Sequence, residues 1–379
     1  MIIERSIKAD IEEKLLSGKA IVIFGARQVG KTTLLHDLFD KRNDVMWLSG
    51  DDAATIALFE DVTAQKFNSV VGQNLILVID EAQRIQNIGL KLKIIHDKFK
   101  TKFQIIATGS SSFDLANEIN EPMTGRKWTY KMFPLSFAEM VFHTNLIEEQ
   151  MNLENRLLYG YYPDVVNNPG DERAILKELA NDNLYKDIFK WENIKKPLVF
   201  EKLVRALALQ IGSQVSINEL SNLCNADNKT IERYIRLLEQ SFVIFRLGSF
   251  STNLRSELKS SAKYYFYDVG IRNAVIGAFD TVAIRQDIGH LFENFIIAEL
   301  AKKLMPQSVG SFGYFWRTTQ QQEVDFVTES GRNITAYEIK WNPNTKVHIP
   351  KTFIEKYNPS VKFINRENFY EVLAHTPMG

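Results

Sequence analysis

The sequence predicts an α/β protein built on a parallel sheet, and three segments predict it. Ala20 to Phe24 read AIVIF, and Leu75 to Ile79 read LILVI. These are short β-branched runs with no polar face, the pattern of strands covered on both sides. Phe103 to Ser112, FQIIATGSSS, is a third such run that ends in small polar residues. Val45 to Asp52, VMWLSGDD, reads as a further strand and turn between them.

The first run leads into GARQVGKTT, Gly25 to Thr33, and then the helical pattern LLHDLF. Strand, glycine loop and helix follow in the order of a phosphate-binding P-loop, with the spacing G-x-x-x-x-G-K-T intact. Gly25 and Gly30 let the backbone bend so that successive N–H groups point at a phosphate. Ala26, Arg27, Gln28 and Val29 line that cradle between them, and the helix N-terminus adds its positive dipole end. Lys31 supplies a charge for the β- and γ-phosphates. Thr32 supplies a hydroxyl for Mg²⁺, and Thr33 completes the loop. The expected ligand is ATP with Mg²⁺.

The second run ends in two carboxylates. Asp80 stands at the strand's end, where it would hold the magnesium through water, and Glu81 would orient or deprotonate the attacking water. Ligands of parallel sheets lie beyond the carboxyl ends of strands. Ser110, at the end of the third run, is therefore either a hydroxyl that senses the γ-phosphate or the N-cap of the next helix. Arg126 follows a loop containing Pro122 and Gly125. It is either a solvated surface cation or an arginine that reaches a γ-phosphate on a neighbouring subunit of an oligomer.

Glu172 to Lys190 contain no Gly or Pro and show helical periodicity, which suits a helical lid, and Pro197 marks the next boundary. Beyond it come SINELSNLCNA, DNKTIERYIRLLEQ and SFVIFRL, then KYYFYDV. Helix, turn, helix and a two-stranded wing are the expected elements. Lys229, Arg233 and Arg236 lie along the exposed side of the second helix. Arg255, Lys259 and Lys263 belong to the wing loop and its return strand. These cations suit phosphates of nucleic acid, DNA being the favoured form. The bland alternative is a packing module with solvated charges. Asp268, in the turn after the wing, is expected to cap the following helix.

Near the C-terminal end, HLFENFIIAELAKKL is a buried helix that carries Glu293. Two strands follow, EVDFV and ITAYEIKW, separated by ESGRN. Glu338 and Lys340 are two apart and share a strand face. Pairing Glu329 with Arg332 would set Asp325 opposite Ala336 and Glu338 one diagonal step away. Asp325, Glu338 and Lys340 then converge, with Glu293 able to join from the helix. This resembles the PD-(D/E)xK nuclease arrangement, although Val324 stands where its proline would be. The resemblance implies Mg²⁺ or Mn²⁺ on Asp325 and Glu338, with Glu293 as a further or water-mediated ligand. Lys340 would position water or neutralise charge. Alternatively, the domain keeps the fold without the activity.

In order, GARQVGKTTLL, IDEAQR, TGSSS, GRKWTYKMFPLSF and GYYPDVV resemble a large prokaryotic family of AAA+-type ATPases related to the signal-transduction (STAND) branch, with a C-terminal domain of unknown function. The resemblance spans nearly the whole chain. It implies a P-loop ATPase core over residues 1–145, a helical lid over 146–196, a winged helix-turn-helix over 197–268 and a nuclease-like domain over 269–379. Two functions remain open at this point. One is an ATP-hydrolysing enzyme that acts on nucleic acid and cuts it; the other is a nucleotide-dependent switch with a silent C-terminal scaffold.

Composition excludes other classes. The 379 residues carry 46 Lys+Arg against 46 Asp+Glu, so no uniformly basic nucleic-acid coat exists, although a local basic patch is allowed. One cysteine, Cys224, rules out an intramolecular disulfide and any cysteine-cluster zinc site. Charges at the N-terminus and the lack of a long apolar run point to a cytoplasmic, non-membrane protein.

Overall fold

A computed structural model describes residues 2–60, 64–99, 102–109, 122–181, 194, 196–250, 262–307 and 312–374. The chain folds as two compact units: Met1–Pro134 with Gln240–Phe242, and Leu135–Glu239 with Val243–Gly379.

The first unit is a five-stranded sheet: β1 (Ala20–Gly25), β2 (Val45–Ser49), β3 (Ile76–Asp80), β4 (Gln104–Gly109) and β5 (Lys127–Met132), in the order β2-β3-β4-β1-β5. Every pairing is parallel. β1 and β4 are buried at every residue, as apolar runs without alternation require. The carboxyl ends of β1, β3 and β4 therefore lie along one edge. Gly25 closes β1 where a Cβ would stand 2.2 Å from the carbonyl oxygen of Met132, so only glycine fits.

The second unit holds a seven-stranded sheet: β6 (Gln214–Val215), β7 (Ile244–Ser249), β8 (Ala262–Phe266), β9 (Tyr314–Arg317), β10 (Glu323–Ser330), β11 (Asn333–Ile339) and β12 (Ser360–Ile364). The order is β12-β11-β10-β9-β7-β8-β6. The helices Ile217–Cys224 and Asn228–Gln240 precede the antiparallel pair β7–β8, and β6 joins the other side of β8. The hairpin does not stand free, however. β7 pairs in parallel with β9, Gly248 opposite Tyr314 and Ser249 opposite Phe315. One continuous sheet crosses the expected boundary at residue 268.

The helix Ile288–Leu304 is buried from Leu291 to Lys302 on all sides, the state its nearly uniform apolarity demands. The Asn294 side chain binds both the N–H (3.0 Å) and the carbonyl (2.8 Å) of Phe266 on β8. The stretch Leu135–Ser136–Phe137 forms a helix start: Ser136 accepts from the Glu139 N–H, and Glu139 returns the bond to the Ser136 N–H, a capping box. GYYPD and YDVG meet at Asp268. Its carboxylate accepts from the Tyr161 N–H at 2.7 Å and caps the helix Val269–Ile276 through the Ile271 N–H at 3.0 Å. Gly160, at φ +69°, must be glycine, since a Cβ would lie 2.2 Å from that carboxylate. The expected lid helix is described over Glu172–Leu179; residues 182–193 lie outside the described part.

Candidate functional site

The loop after β1 turns on Gly30, whose φ of +95° belongs to the left-handed region. The helix Lys31–Phe39 begins directly after it and anchors through buried Leu34, Leu35 and Phe39. Lys31 is buried and donates to the carbonyls of Gly25 (3.0 Å) and Ala26 (2.8 Å). The ammonium thus stands inside the loop, where a phosphate would exchange for those carbonyls. Thr32, on the first helical turn, donates to Asp80 Oδ2 at 2.7 Å. That single bond joins the phosphate loop to the end of β3, and both oxygens are suited to a hard divalent cation. The residues therefore fit Mg²⁺: Thr32 and Asp80 would hold it, and it would neutralise charge on the phosphates.

Glu81 follows Asp80 in the left-handed conformation (φ 48°, ψ 40°), unusual for a residue with a side chain. Its N–H donates to Asp80 Oδ1 (3.1 Å) and to the Thr108 hydroxyl oxygen (3.3 Å), which hold that turn. Its carboxylate accepts from Gln83 Nε2 at 2.5 Å.

Sequence reasoning missed three residues here. Thr108 on β4 donates its hydroxyl to Asp80; its signal was a lone hydroxyl in an apolar strand. Gln83 holds Glu81, and no periodicity marks it. Arg5 donates to the carbonyls of Val29 (2.6 Å) and Phe133 (2.7 Å), so an N-terminal arginine braces the phosphate loop from behind. Ser110 lies outside the described residues.

Arg126 stands at the other end of the sheet. Its carbonyl accepts from the Ala20 N–H, at the start of β1, about 17 Å of strand away from Gly25. Its guanidinium is paired with both carboxylate oxygens of Asp97, at 2.6 and 3.2 Å. It cannot serve its own phosphate loop; an arginine from this position would have to reach the nucleotide of another copy.

Burial pushes the Lys31 ammonium down to about 8, against the pull of Glu81 and Asp80. The unfolded chain, with lysine near 10.5, then binds more protons between those values, so this group makes stability rise with pH across that window. A triphosphate would restore the charge. ATP binding is expected to take up a proton at about pH 9 and to weaken as pH rises through 8. Calorimetry in buffers of differing ionisation enthalpy measures this, and a buffer-independent heat would place Lys31 away from the phosphates.

The second unit gathers a different cluster. Ser330 pairs with Asn333 around the two-residue loop Gly331–Arg332, and Phe326 pairs with Tyr337. The same register sets Asp325 directly opposite Glu338, not opposite Ala336 as expected. The side-chain face is unchanged because the shift is even. Against β9 the register of β10 shifts between Val324 and Val327, the stretch that contains Asp325. Asp325 Oδ2 accepts from the Ile339 N–H and from Lys340 Nζ, both at 2.8 Å, and Lys340 also reaches Glu338 Oε1 at 2.9 Å.

Glu338 Oε2 is buried without a hydrogen-bond partner. Burial, then the charge of Asp325, pushes the Glu338 carboxyl up to about 7, against the pull of Lys340. Burial opposes the charge of Lys340, but Asp325 and Glu338 raise it above the ordinary lysine range. Glu293 instead faces Lys263 (3.2 Å) and the Tyr265 hydroxyl (2.6 Å). Among the described residues no group of three His, Cys, Asp or Glu is arranged to hold a metal ion. The expected three-carboxylate metal set is therefore not assembled, because ammonium groups stand between its members.

One further correction concerns a cation. Lys263, expected on the wing surface, is 1% exposed on β8 and pairs with Glu293 and Glu323. Arg255 and Lys259 lie outside the described residues, whereas Lys229, Arg233 and Arg236 are exposed on the helix Asn228–Gln240. No helix among the described residues is long and apolar enough to cross a membrane.

Residues 17–141 match the profile of an AAA domain; residues 150–282 and 288–372 each match a domain of unknown function. An uncharacterized protein of Methanocaldococcus jannaschii is 26% identical over 343 residues, covering 85% of this chain and 74% of that one. An uncharacterized protein of Haemophilus influenzae is 23% identical over 375 residues, covering 92% and 89%. The Walker-type ATPase of Pyrococcus abyssi shares the fold at 14% identity with a TM-score of 0.52, over 73% of this chain and 96% of that structure. Loop geometry, profile and fold agree that the first unit is a P-loop ATPase domain.

Proposed function

We propose that the chain binds and hydrolyses ATP with Mg²⁺ at Lys31, Thr32, Asp80 and Glu81, and that it acts on nucleic acid, DNA being favoured. The observation that carries the first part is the Thr32–Asp80 hydrogen bond of 2.7 Å, which brings the two magnesium-directed oxygens together beside the buried lysine. Gly25 to Thr33 cradle the phosphates, and Glu81 takes the proton of the attacking water.

Exposed Lys229, Arg233 and Arg236 on one helix support the nucleic-acid part, with sequence-independent phosphate contact as their role. The cluster at Asp325, Glu338 and Lys340 supports a cutting role. Its fit to a divalent cation rests on the buried, unbonded Glu338 Oε2 opposite Asp325. When bound, such an ion would supply a hydroxide and stabilise charge on the phosphate; Lys340 holds both carboxylates in place and offers its positive charge to that phosphate. The reading of a nucleotide-dependent switch with a silent second unit is favoured by the same lysine, which already neutralises the pair.

One experiment decides between them. Single-stranded, duplex and branched DNA, and RNA, are incubated with wild type and Asp325→Ala in Mg²⁺ or Mn²⁺, with and without ATP. Cleavage by wild type that Asp325→Ala abolishes is the expected result. An uncut panel removes the nuclease and leaves the switch.

A further inference from the structure

Lys263 is a buried lysine in the middle of an acidic cluster to which it is not adjacent in sequence. Its ammonium lies 3.2 Å from Glu293 Oε1 and 2.6 Å from Glu323 Oε1, and Arg317 approaches the other oxygen of Glu323 at 3.4 Å. The same Oε1 of Glu293 accepts from the fully buried Tyr265 hydroxyl. Lys263 and Tyr265 are two apart on β8 and so reach Glu293 from one strand face. The far side of Glu293 is closed by backbone. A Cβ on Gly212, at φ +74°, would stand 3.3 Å from both Glu293 oxygens and 2.8 Å from His290 Nδ1. A hydrated cation at Glu293 would need the space that Lys263 and this loop fill. Asp325 and Glu338 face each other across β10 and β11 with Lys340 on one oxygen of each, at 2.8 and 2.9 Å, but Glu338 keeps its other oxygen buried without a partner.

We infer that the Lys263 ammonium stands where a second cation would, so that Glu293 is a partner of Lys263 and not a metal ligand, and the cluster takes one divalent ion at Asp325 and the unbonded oxygen of Glu338, beside Lys340. This rests on the reading that these carboxylates hold a divalent cation at all. Lys263 is then a positioning residue. It neutralises Glu293 and Glu323 with a charge that cannot dissociate, and it ties β8 to the helix Ile288–Leu304 and to β10.

The test is a Mn²⁺ titration of the full chain by the free-ion electron paramagnetic resonance signal. An Asp80→Asn background removes the magnesium-directed carboxylate of the ATPase site. One bound ion per chain is expected. Glu293→Gln should leave its affinity within about twofold, while Asp325→Asn and Glu338→Gln should each weaken it at least about tenfold, the scale on which ligand shells act. Two ions on the background chain, or equal losses in Glu293→Gln and Asp325→Asn, would overturn the inference while leaving the metal reading intact. No Mn²⁺ bound by the background chain would remove the metal reading itself, and the inference with it. Lys263→Met should admit a second ion if it folds; should it not fold, the Glu293→Gln comparison still decides.

Discussion

Replacing Glu81 by glutamine is expected to lower steady-state Mg²⁺-ATP hydrolysis by about 10²–10⁴-fold, the range general-base catalysis supplies, while ATP binding stays intact. In the proposed site, phosphate and magnesium contacts fall to Lys31, Thr32 and Asp80, and the Glu81 carboxylate acts on Lys31 through its charge. What glutamine removes is the proton acceptor, at nearly constant volume. The turn should survive, because it is held by backbone: the Glu81 N–H binds Asp80 and Thr108, and a Cβ on neighbouring Gly50 would already lie 2.2 Å from the Glu81 carbonyl oxygen. Gln83 Nε2 can still meet the amide oxygen. The readouts are steady-state phosphate release and equilibrium binding of a fluorescent ATP analogue. Hydrolysis at the wild-type rate would show that another group orients the water; lost binding would show that Glu81 holds the loop together.

The ATPase site is legible in the sequence because its information is local. Nine consecutive residues, Gly25 to Thr33, make the phosphate loop, and one strand end supplies both acids. A parallel sheet then brings the two together, since its strands all end on one edge. Thr108 and Arg5 are not legible, since each acts through hydrogen bonds on residues far along the chain. The second unit shows the same division. Period-two alternation on β10 and β11 puts Asp325, Glu338 and Lys340 on one face, and the structure keeps them there. It does not set the step along the partner strand, because a two-residue loop at Ser330–Gly331 and one at Gly331–Arg332 satisfy the same parity.

Lys263 reads as a surface cation in the sequence because charges flank it in a loop-like stretch. β8 is a strand paired on both sides and buried on both faces, and its neighbours are set by pairings distant in sequence. The Gly248–Tyr314 pair, which merges the hairpin with the C-terminal sheet, leaves no periodic trace at all.

Lys263→Met should cost about 3–5 kcal/mol of folding stability, the usual penalty for removing one partner of a buried ion pair. Methionine nearly matches the lysine stem in volume, so the loss is one of charge. Burial opposes the ammonium of Lys263, yet Glu293, Glu323 and Asp325 raise its pKa above the ordinary lysine range; the carboxylates outweigh the burial. Burial already pushes the Glu293 carboxyl up, with Lys263 and the Tyr265 hydroxyl pulling it back. Deleting the lysine frees that upward shift. A carboxyl whose folded pKa exceeds its unfolded value costs nothing below the unfolded value and a growing amount as pH rises through the gap. The deficit of Lys263→Met should therefore shrink as pH falls from 8 toward about 4, near the unfolded glutamate value. Adding Glu293→Gln should recover part of it, since a neutral amide beside the introduced methionine leaves no buried charge at that point of the helix. Urea unfolding of the single and double variants at both pH values measures this. An unchanged midpoint for Lys263→Met at pH 8 would mean that water reaches Glu293 and that the cluster is far wetter than its 1% exposed lysine indicates.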